Sequence, residues 1–337
     1  MKYLSGVAKY CLLAFSAAYL VSSYLGLSPA RAQEPRVAIE TRARSKEAST
    51  GSAARVAPDF RINTDLVLIP VMVTDKHDRL ITGLEKTHFK LFEDKVEQVI
   101  THFAAEDVPV SITIVFDSSG SMSPKMEKAR SAVAAFLRNS NPDDEFSLIE
   151  FNDRARLVSG FTTSTEEIQN RVMFIRPTGQ TALLDAVYLA LNEMGHARNQ
   201  RKAVMIISDG GDNHSRYSLK EVKNFVRETD TQVYSIGIVD LYSMNTTAAE
   251  EMRGPALLSD VAAQTGGRFF EVTDLNQLAG IASKIGTALR NQYVLGYAPA
   301  PDKRDGKYHK VQVKIDRPKG VPALRASFRA GYVAPAF

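Results

Sequence analysis

Two carboxylates and three hydroxyls, drawn from three separate stretches of this 337-residue chain, are of the right types to hold a hard cation. The first stretch is Asp117-Ser118-Ser119-Gly120-Ser121, at the end of the β-branched run Val110–Phe116. The i, i+2, i+4 spacing of Asp117, Ser119 and Ser121 lets one tight loop turn three oxygen-bearing side chains to a point, and Gly120 is expected to permit that turn. The second stretch is "RPTGQTALLDAV", where Thr181 stands at an expected helix start. The third is "VMIISDGGDN", which offers Asp209 with Asp212 close behind. All-oxygen ligands of this kind suit Mg²⁺, Mn²⁺ or Ca²⁺. If the serines bind directly and the carboxylates act partly through water, the cation keeps much of its charge and an open position for an acidic group from a partner. The competing reading is a plain turn, since Asp, Ser and Gly all favour one.

For these residues to meet, three loops must reach one edge of a sheet. "VPVSITIVF" is a near-continuous apolar strand, as expected when both faces are covered. An amphipathic helix follows at "PKMEKARSAVAAFLRNS", with Pro124 at a first-turn position, then strands "EFSLIEF" and "RARLVSGF" and a helix over residues 165–174. Further strands at "KAVMIISD", "QVYSIGIV" and "RFFEV" alternate with helices at 181–195, 218–228, 255–264 and 274–290. This alternation predicts an α/β fold, a doubly wound, mostly parallel sheet with helices on both faces over residues 107–290. Ligands of such sheets bind beyond the carboxyl ends of the strands, where Asp117, Thr181 and Asp209 would all stand.

The flanks read differently. "RINTDLVLIPVMVTD" and "HFKLFEDKVEQVITHF" predict antiparallel strands, with Pro70 pointing to an edge strand or bulge because it cannot donate to a ladder. After Arg290 come "QYVLGYAP", "KYHKVQVKI" and "ASFRAGYV". In the second of these, Val311, Val313 and Ile315 alternate with Lys310, Gln312 and Lys314 as in a half-exposed strand. Each flank is too small to fold alone, so residues 59–106 and 291–337 are expected to form one small antiparallel β-sandwich with the α/β domain inserted between them.

Residues 1–32 carry Lys2 and Lys9, an apolar run from Cys11 to Leu27 and the small-x-small triplet Ala30-Arg31-Ala32, the pattern of a cleaved signal peptide. The rival reading is an uncleaved N-terminal anchor, the one expected route to a membrane. Residues 33–58 lack a sustained apolar period and read as a disordered linker. Export to the periplasm, cell surface or medium is the expected destination. Loss of Lys2, Lys9 and Arg31, with no acidic residue among the first 32, takes the formal charge from +4 to +1. An electrostatic nucleic-acid partner is therefore not implied. Cys11 is the sole cysteine, so the mature chain has neither a disulfide nor a thiolate site.

Asp117-x-Ser119-x-Ser121, then Thr181, then Asp209, in that order on alternating β/α elements, resembles the metal-ion-dependent adhesion site of von Willebrand factor type A domains, over residues 107–290. The flanks "GLEKTHFKLFEDKVEQVITHF" and "LRNQYVLGYAPAPDKRDGKYHKVQVKI" are similar to those of bacterial, Acidobacteria-type proteins related to that family. The resemblance implies Mg²⁺ or Mn²⁺ binding and a protein partner that supplies an acidic side chain. It further implies that Ser119, Ser121 and Thr181 are direct ligands, while Asp117 and Asp209 act mainly through waters. Lys95 departs from the pattern, standing where relatives often have glycine.

The rival functions are a metal-independent scaffold in an envelope complex and a metal-dependent hydrolase or phosphatase. An aspartyl phosphatase needs an acidic residue two positions after its Asp, and here that position is Ser119. Ser121 lies in Gly-Ser-Met-Ser, which is no nucleophile elbow. His77, His88, His102, His196, His214 and His309 have no paired-ligand spacing, and His214 is the one expected near the rim. Catalysis is not expected.

Overall fold

The computed structural model describes residues 66–336 apart from 106, 240–253, 301–302, 304, 318–319 and 321–322. The expected signal peptide 1–32 and linker 33–58 lie outside the described residues.

The first apolar alternation folds into β1 (Val67–Asp75), β2 (Phe89–Glu93), β3 (Val96–Gln98) and β4 (His102–Ala104). The apolar runs then become buried on both faces. β5 (Val110–Asp117), buried at every residue, leads through a 3-10 turn at Gly120–Lys125 into α1 (Met126–Leu137). Next come β6 (Glu145–Phe151), β7 (Ala155–Thr162), α2 (Thr165–Phe174), α3 (Leu183–Glu193) and β8 (Arg201–Ser208). They are followed by α4 (Leu219–Glu228), β9 (Gln232–Ile238), α5 (Gly254–Thr265), β10 (Phe269–Val272) and α6 (Leu278–Arg290). Four further strands follow, β11 (Tyr293–Tyr297), β12 (Tyr308–Ile315), β13 (Leu324–Phe328) and β14 (Gly331–Val333).

β5 to β10 form a six-stranded sheet in the order β10-β9-β8-β5-β6-β7. Neighbours run parallel except β6 and β7, a hairpin at the sheet edge. The chain builds outward from β5 to β6 and β7, then crosses back to lay β8 on the other side of β5. Crossovers of one hand in two directions put helices on opposite faces. α1, α2 and α6 cover Ile112, Ile114, Phe116, Met205 and Ile207, whereas α3, α4 and α5 cover Val115, Val204 and Ile206. The odd residues of β5 therefore face α3. Two of them are hydroxyls satisfied inside the core: Ser111 Oγ donates to Glu145 Oε1 at 2.6 Å, and Thr113 Oγ1 lies 2.7 Å from Ser147 Oγ. The third polar residue on that face is Asp117.

The flanking strands make two four-stranded antiparallel sheets, β13-β1-β11-β4 and β14-β12-β2-β3, around a core that includes Ile69, Val71, Leu91, Leu295 and Val313. Each sheet mixes strands from before and after the central sheet. β4, which leads into the central sheet, pairs with β11, which leaves it, from Ala104↔Val294 to His102↔Gly296. At this junction Arg201 donates to the Leu289 and Arg290 carbonyls at 3.1 Å, which caps the end of α6 just before β11. Gln292 donates to Gln232 Oε1 and to the Tyr234 hydroxyl at 2.8 and 3.0 Å.

Pro70 does not mark an edge strand. β1 is internal, but β11 pairs with Val67–Val71 and β13 with Val71–Asp75. The half of β1 that holds Pro70 thus has a ladder on one side only, and a residue without an N–H is tolerated there.

Asp94 and Lys95 join β2 to β3 with φ of 47° and 74°, the left-handed pair a two-residue hairpin turn requires. A side chain at Lys95 is strained in that region. Lys95→Gly is expected to raise stability by about 0.5–1 kcal/mol in urea unfolding.

His309 on β12 is wedged between two carboxylates, with Nδ1 2.8 Å from Asp94 and Nε2 3.0 Å from Asp305. Burial alone would depress its pKa, but hydrogen bonds to Asp94 and Asp305 outweigh it and hold the imidazole above its ordinary 6.5. The stabilisation is therefore fully present below pH 6.5 and lost as pH rises through the raised folded-state value. Urea unfolding from pH 5.5 upward is expected to show this loss in the wild type and not in His309→Gln.

Candidate metal centre

Asp117 stands where the strand order reverses, at the carboxyl end of β5 beside β8, the crevice in which open parallel sheets bind ligands. The register that pairs Phe116 with Ile207 sets Asp117 next to Ser208. Ser208 Oγ donates to Asp117 Oδ2 at 2.5 Å, and the Ser119 N–H donates to Oδ1 at 2.8 Å. Ser119 Oγ and Ser121 Oγ lie 3.1 Å apart, so two of the expected ligands are already in contact.

The Thr181 loop is tied to this group through backbone. The Thr178 N–H donates to the Ser118 carbonyl at 2.8 Å and the Gly120 N–H to the Gly179 carbonyl at 3.1 Å. The Thr181 carbonyl accepts from the Asn213 and His214 N–H groups at 3.0 and 3.2 Å, and Asn213 Oδ1 accepts from the Thr181 N–H at 3.0 Å. The loop after β8, which carries Asp209, is thereby fixed against the loop that carries Thr181. His214 contributes its backbone here, while its residue is exposed.

Burial, and next to it the negative charge of Asp209, push the Asp117 carboxyl above the ordinary carboxylate range; its bonds from Ser208 and Ser119 pull the other way. Asp209 in turn meets Lys125, whose Nζ lies 2.8 Å from Oδ2 with both side chains only 10% exposed. The expected donors are all oxygen, two carboxylates and three hydroxyls, and Asp117 among them is buried. Such a set fits a hard divalent cation. Among the described residues no group of three or more His, Cys, Asp or Glu side chains could hold a metal ion, so any such site must rely on the hydroxyls.

Asp212 is not part of the group. Its Oδ1 accepts from the Leu183 and Leu184 N–H groups at 2.9 and 3.3 Å and from Ser215 Oγ at 2.5 Å, capping α3 from a neighbouring loop. The N-cap position of α3 is Ala182, which has no side-chain oxygen for those donors, so the cap comes from elsewhere in the chain. Gly120 also differs from expectation. The left-handed glycines of these loops are Gly179 (φ 79°) and Gly210 (φ 97°), and Gly120 instead donates its N–H to the Gly179 carbonyl. Ser208, Lys125 and Asn213 were not among the expected site residues. Ser208 is the one with a signal in the sequence, because strand alternation puts it on the same face as Val204 and Ile206.

The doubly wound sheet and the order of its strands agree with the von Willebrand factor type A resemblance of the sequence. The family model described as "von Willebrand factor type A domain" matches residues 112–211. Mouse inter alpha-trypsin inhibitor heavy chain 4 is 30% identical over 154 residues, which cover 41% of this chain and 16% of that protein. Chicken integrin alpha-1 is 25% identical over 188 residues, 52% of this chain and 65% of that protein. The chain thus spans about a sixth of the first curated relatives it matches. Among solved structures, a von Willebrand factor type A protein from Catenulispora acidiphila aligns over 80% of this chain and 75% of its own, with 14% identity and a TM-score of 0.48.

Gly179 holds the Thr181 loop in a conformation that other residues resist, and a Cβ there would come within 2.5 Å of the Asp153 carboxylate that accepts from the Gln180 N–H. Gly179→Ala is expected to cost about 1–2 kcal/mol of stability by thermal unfolding.

Proposed function

We propose that this chain binds a divalent cation, Mg²⁺ or else Mn²⁺ or Ca²⁺, through Asp117, Ser119, Ser121, Thr181 and Asp209, and uses it to hold an acidic side chain of a protein partner. The observation that carries this reading is the convergence of a buried carboxylate, a touching hydroxyl pair and a second carboxylate at the switch point of the sheet. When bound, such a cation supplies positive charge and an open coordination position. The chain's own part is to hold the oxygens in place. Ser208 and the Ser119 backbone fix the Asp117 carboxylate, and the backbone ties among the three loops keep the serines and Thr181 in register. The end of α2, which leads into the Thr181 loop, leaves Met173 60% and Phe174 83% exposed, two large apolar side chains available to a protein surface.

The protein is proposed to be non-enzymatic and exported, with residues 1–32 as the targeting segment. Among the described residues no helix is long and apolar enough to cross a membrane. Residues 59–106 and 291–337 are proposed as one sandwich domain and 107–290 as its insert, a division supported by the mixed strand order of both flanking sheets. The Lys125–Asp209 ion pair favours a rival, metal-independent scaffold, because it already gives one carboxylate a counter-charge.

Thermal unfolding against Mg²⁺ and Mn²⁺ tests the reading. At roughly 100-fold over Kd the wild type is expected to gain about 2.7 kcal/mol, and Ser121→Ala to lose most of that gain. An unchanged melting temperature in the wild type would count against the cation and for the scaffold.

A further inference from the structure

Lys125 is in an unfavourable place for an ammonium. It is the last residue of the 3-10 turn and the N-cap residue of α1, where the helix presents its positive end. It is nevertheless buried, and its side chain turns inward to Asp209 instead of following its apolar stem out to water. The 2.8 Å contact with Asp209 is what compensates burial at that end of the helix. Asp209 is also the carboxylate whose charge bears on buried Asp117. The ammonium therefore stands at the group of oxygens proposed to receive the cation.

We propose that Lys125 is a tethered counter-cation, which holds Asp209 in the metal-free protein and gives it up when a divalent cation binds. The proposal rests on the metal reading above and adds the regulation of that site. The ammonium occupies only Oδ2 of Asp209, but an ammonium and a divalent ion drawn to one carboxylate repel each other at short range, and the divalent ion is the more strongly attracted of the two. The positive end of α1 and the arriving ion both repel the ammonium, and four methylenes of stem are enough to carry it into solvent. Before the ion arrives, the lysine keeps two neighbouring carboxylates from facing each other uncompensated. The site is thus kept folded without metal at the cost of weaker metal binding, and occupancy of the rim becomes an exchange of one positive group for another.

The test uses the full chain, with Mg²⁺ alone as the probe. Calorimetric titration of the wild type and Lys125→Met is expected to give a Kd about tenfold lower in the variant, the change that follows from removing an internal competitor. Acetylation of wild-type amines, read by mass spectrometry, is expected to label Lys125 several-fold faster at saturating Mg²⁺, with Lys284 as the unaffected reference. Circular dichroism checks that the variant is folded. If both proteins bind Mg²⁺ but either the Kd or the Lys125 labelling is unchanged, the tether is wrong and the metal site stands. If neither folded protein binds Mg²⁺, both readings fall together. Should Lys125→Met not fold, the wild-type labelling decides: acceleration supports the tether, and constant labelling in a protein that Mg²⁺ stabilises overturns it.

Discussion

A carboxylate buried at the seam between β5 and β8 is the constraint around which the rest of the domain is arranged. Its burial is imposed by register, because the parallel ladder that fills both cores also ends Asp117 beside Ser208 with no room for bulk water. An unpaired carboxylate in such a place is costly, so neighbouring groups are committed to it: a serine hydroxyl and a backbone N–H, while Asp209, one residue beyond β8, is given its own counter-charge by Lys125. The loops are short and interlocked for the same reason. Thr178, Gly120, Asn213 and His214 each spend a backbone donor on a neighbouring loop, so the oxygens cannot move apart without breaking several bonds at once.

The two faces of the central sheet divide the work. The face covered by α1, α2 and α6 is apolar at the even positions of β5, and it anchors the sheet. The opposite face admits Ser111, Thr113 and Asp117 among the aliphatic side chains, each with a partner within hydrogen-bond reach. Along β5 the buried polar side chains thus form one stripe that runs to the rim. Stripe and rim belong to the same strand parity.

Much of this is legible in the sequence. The continuous apolar runs of β5, β8 and β9 mark buried parallel strands, and the spacing of Asp117, Ser119 and Ser121 marks their loop. What escapes is whatever depends on a partner far along the chain. Lys125 at the head of an amphipathic helix carries no local signal, and its burial goes with Asp209, which no local pattern connects to it. Asp212 follows Asp209 closely, and nothing local shows that its oxygen is taken by the start of α3. Gly120 reads as the pivot of its loop, whereas the left-handed turns are made by Gly179 and Gly210. Pro70 reads as an edge marker because a strand's coverage is a tertiary property, and here the cover stops halfway along β1.

The pairing of β4 with β11 has a mechanical consequence. The central sheet is joined to the flanking strands at two points, and these are antiparallel neighbours that reach it at the same end of their ladder. A pull on the rim is therefore shared by two connections that load together. β11 is also held by β1 from Val67↔Tyr297 to Val71↔Tyr293, so tension along it acts in shear across that whole ladder instead of unzipping one rung at a time. A load taken at the carboxyl-end rim of the central sheet would thus reach the flanking sheets through two strands at once.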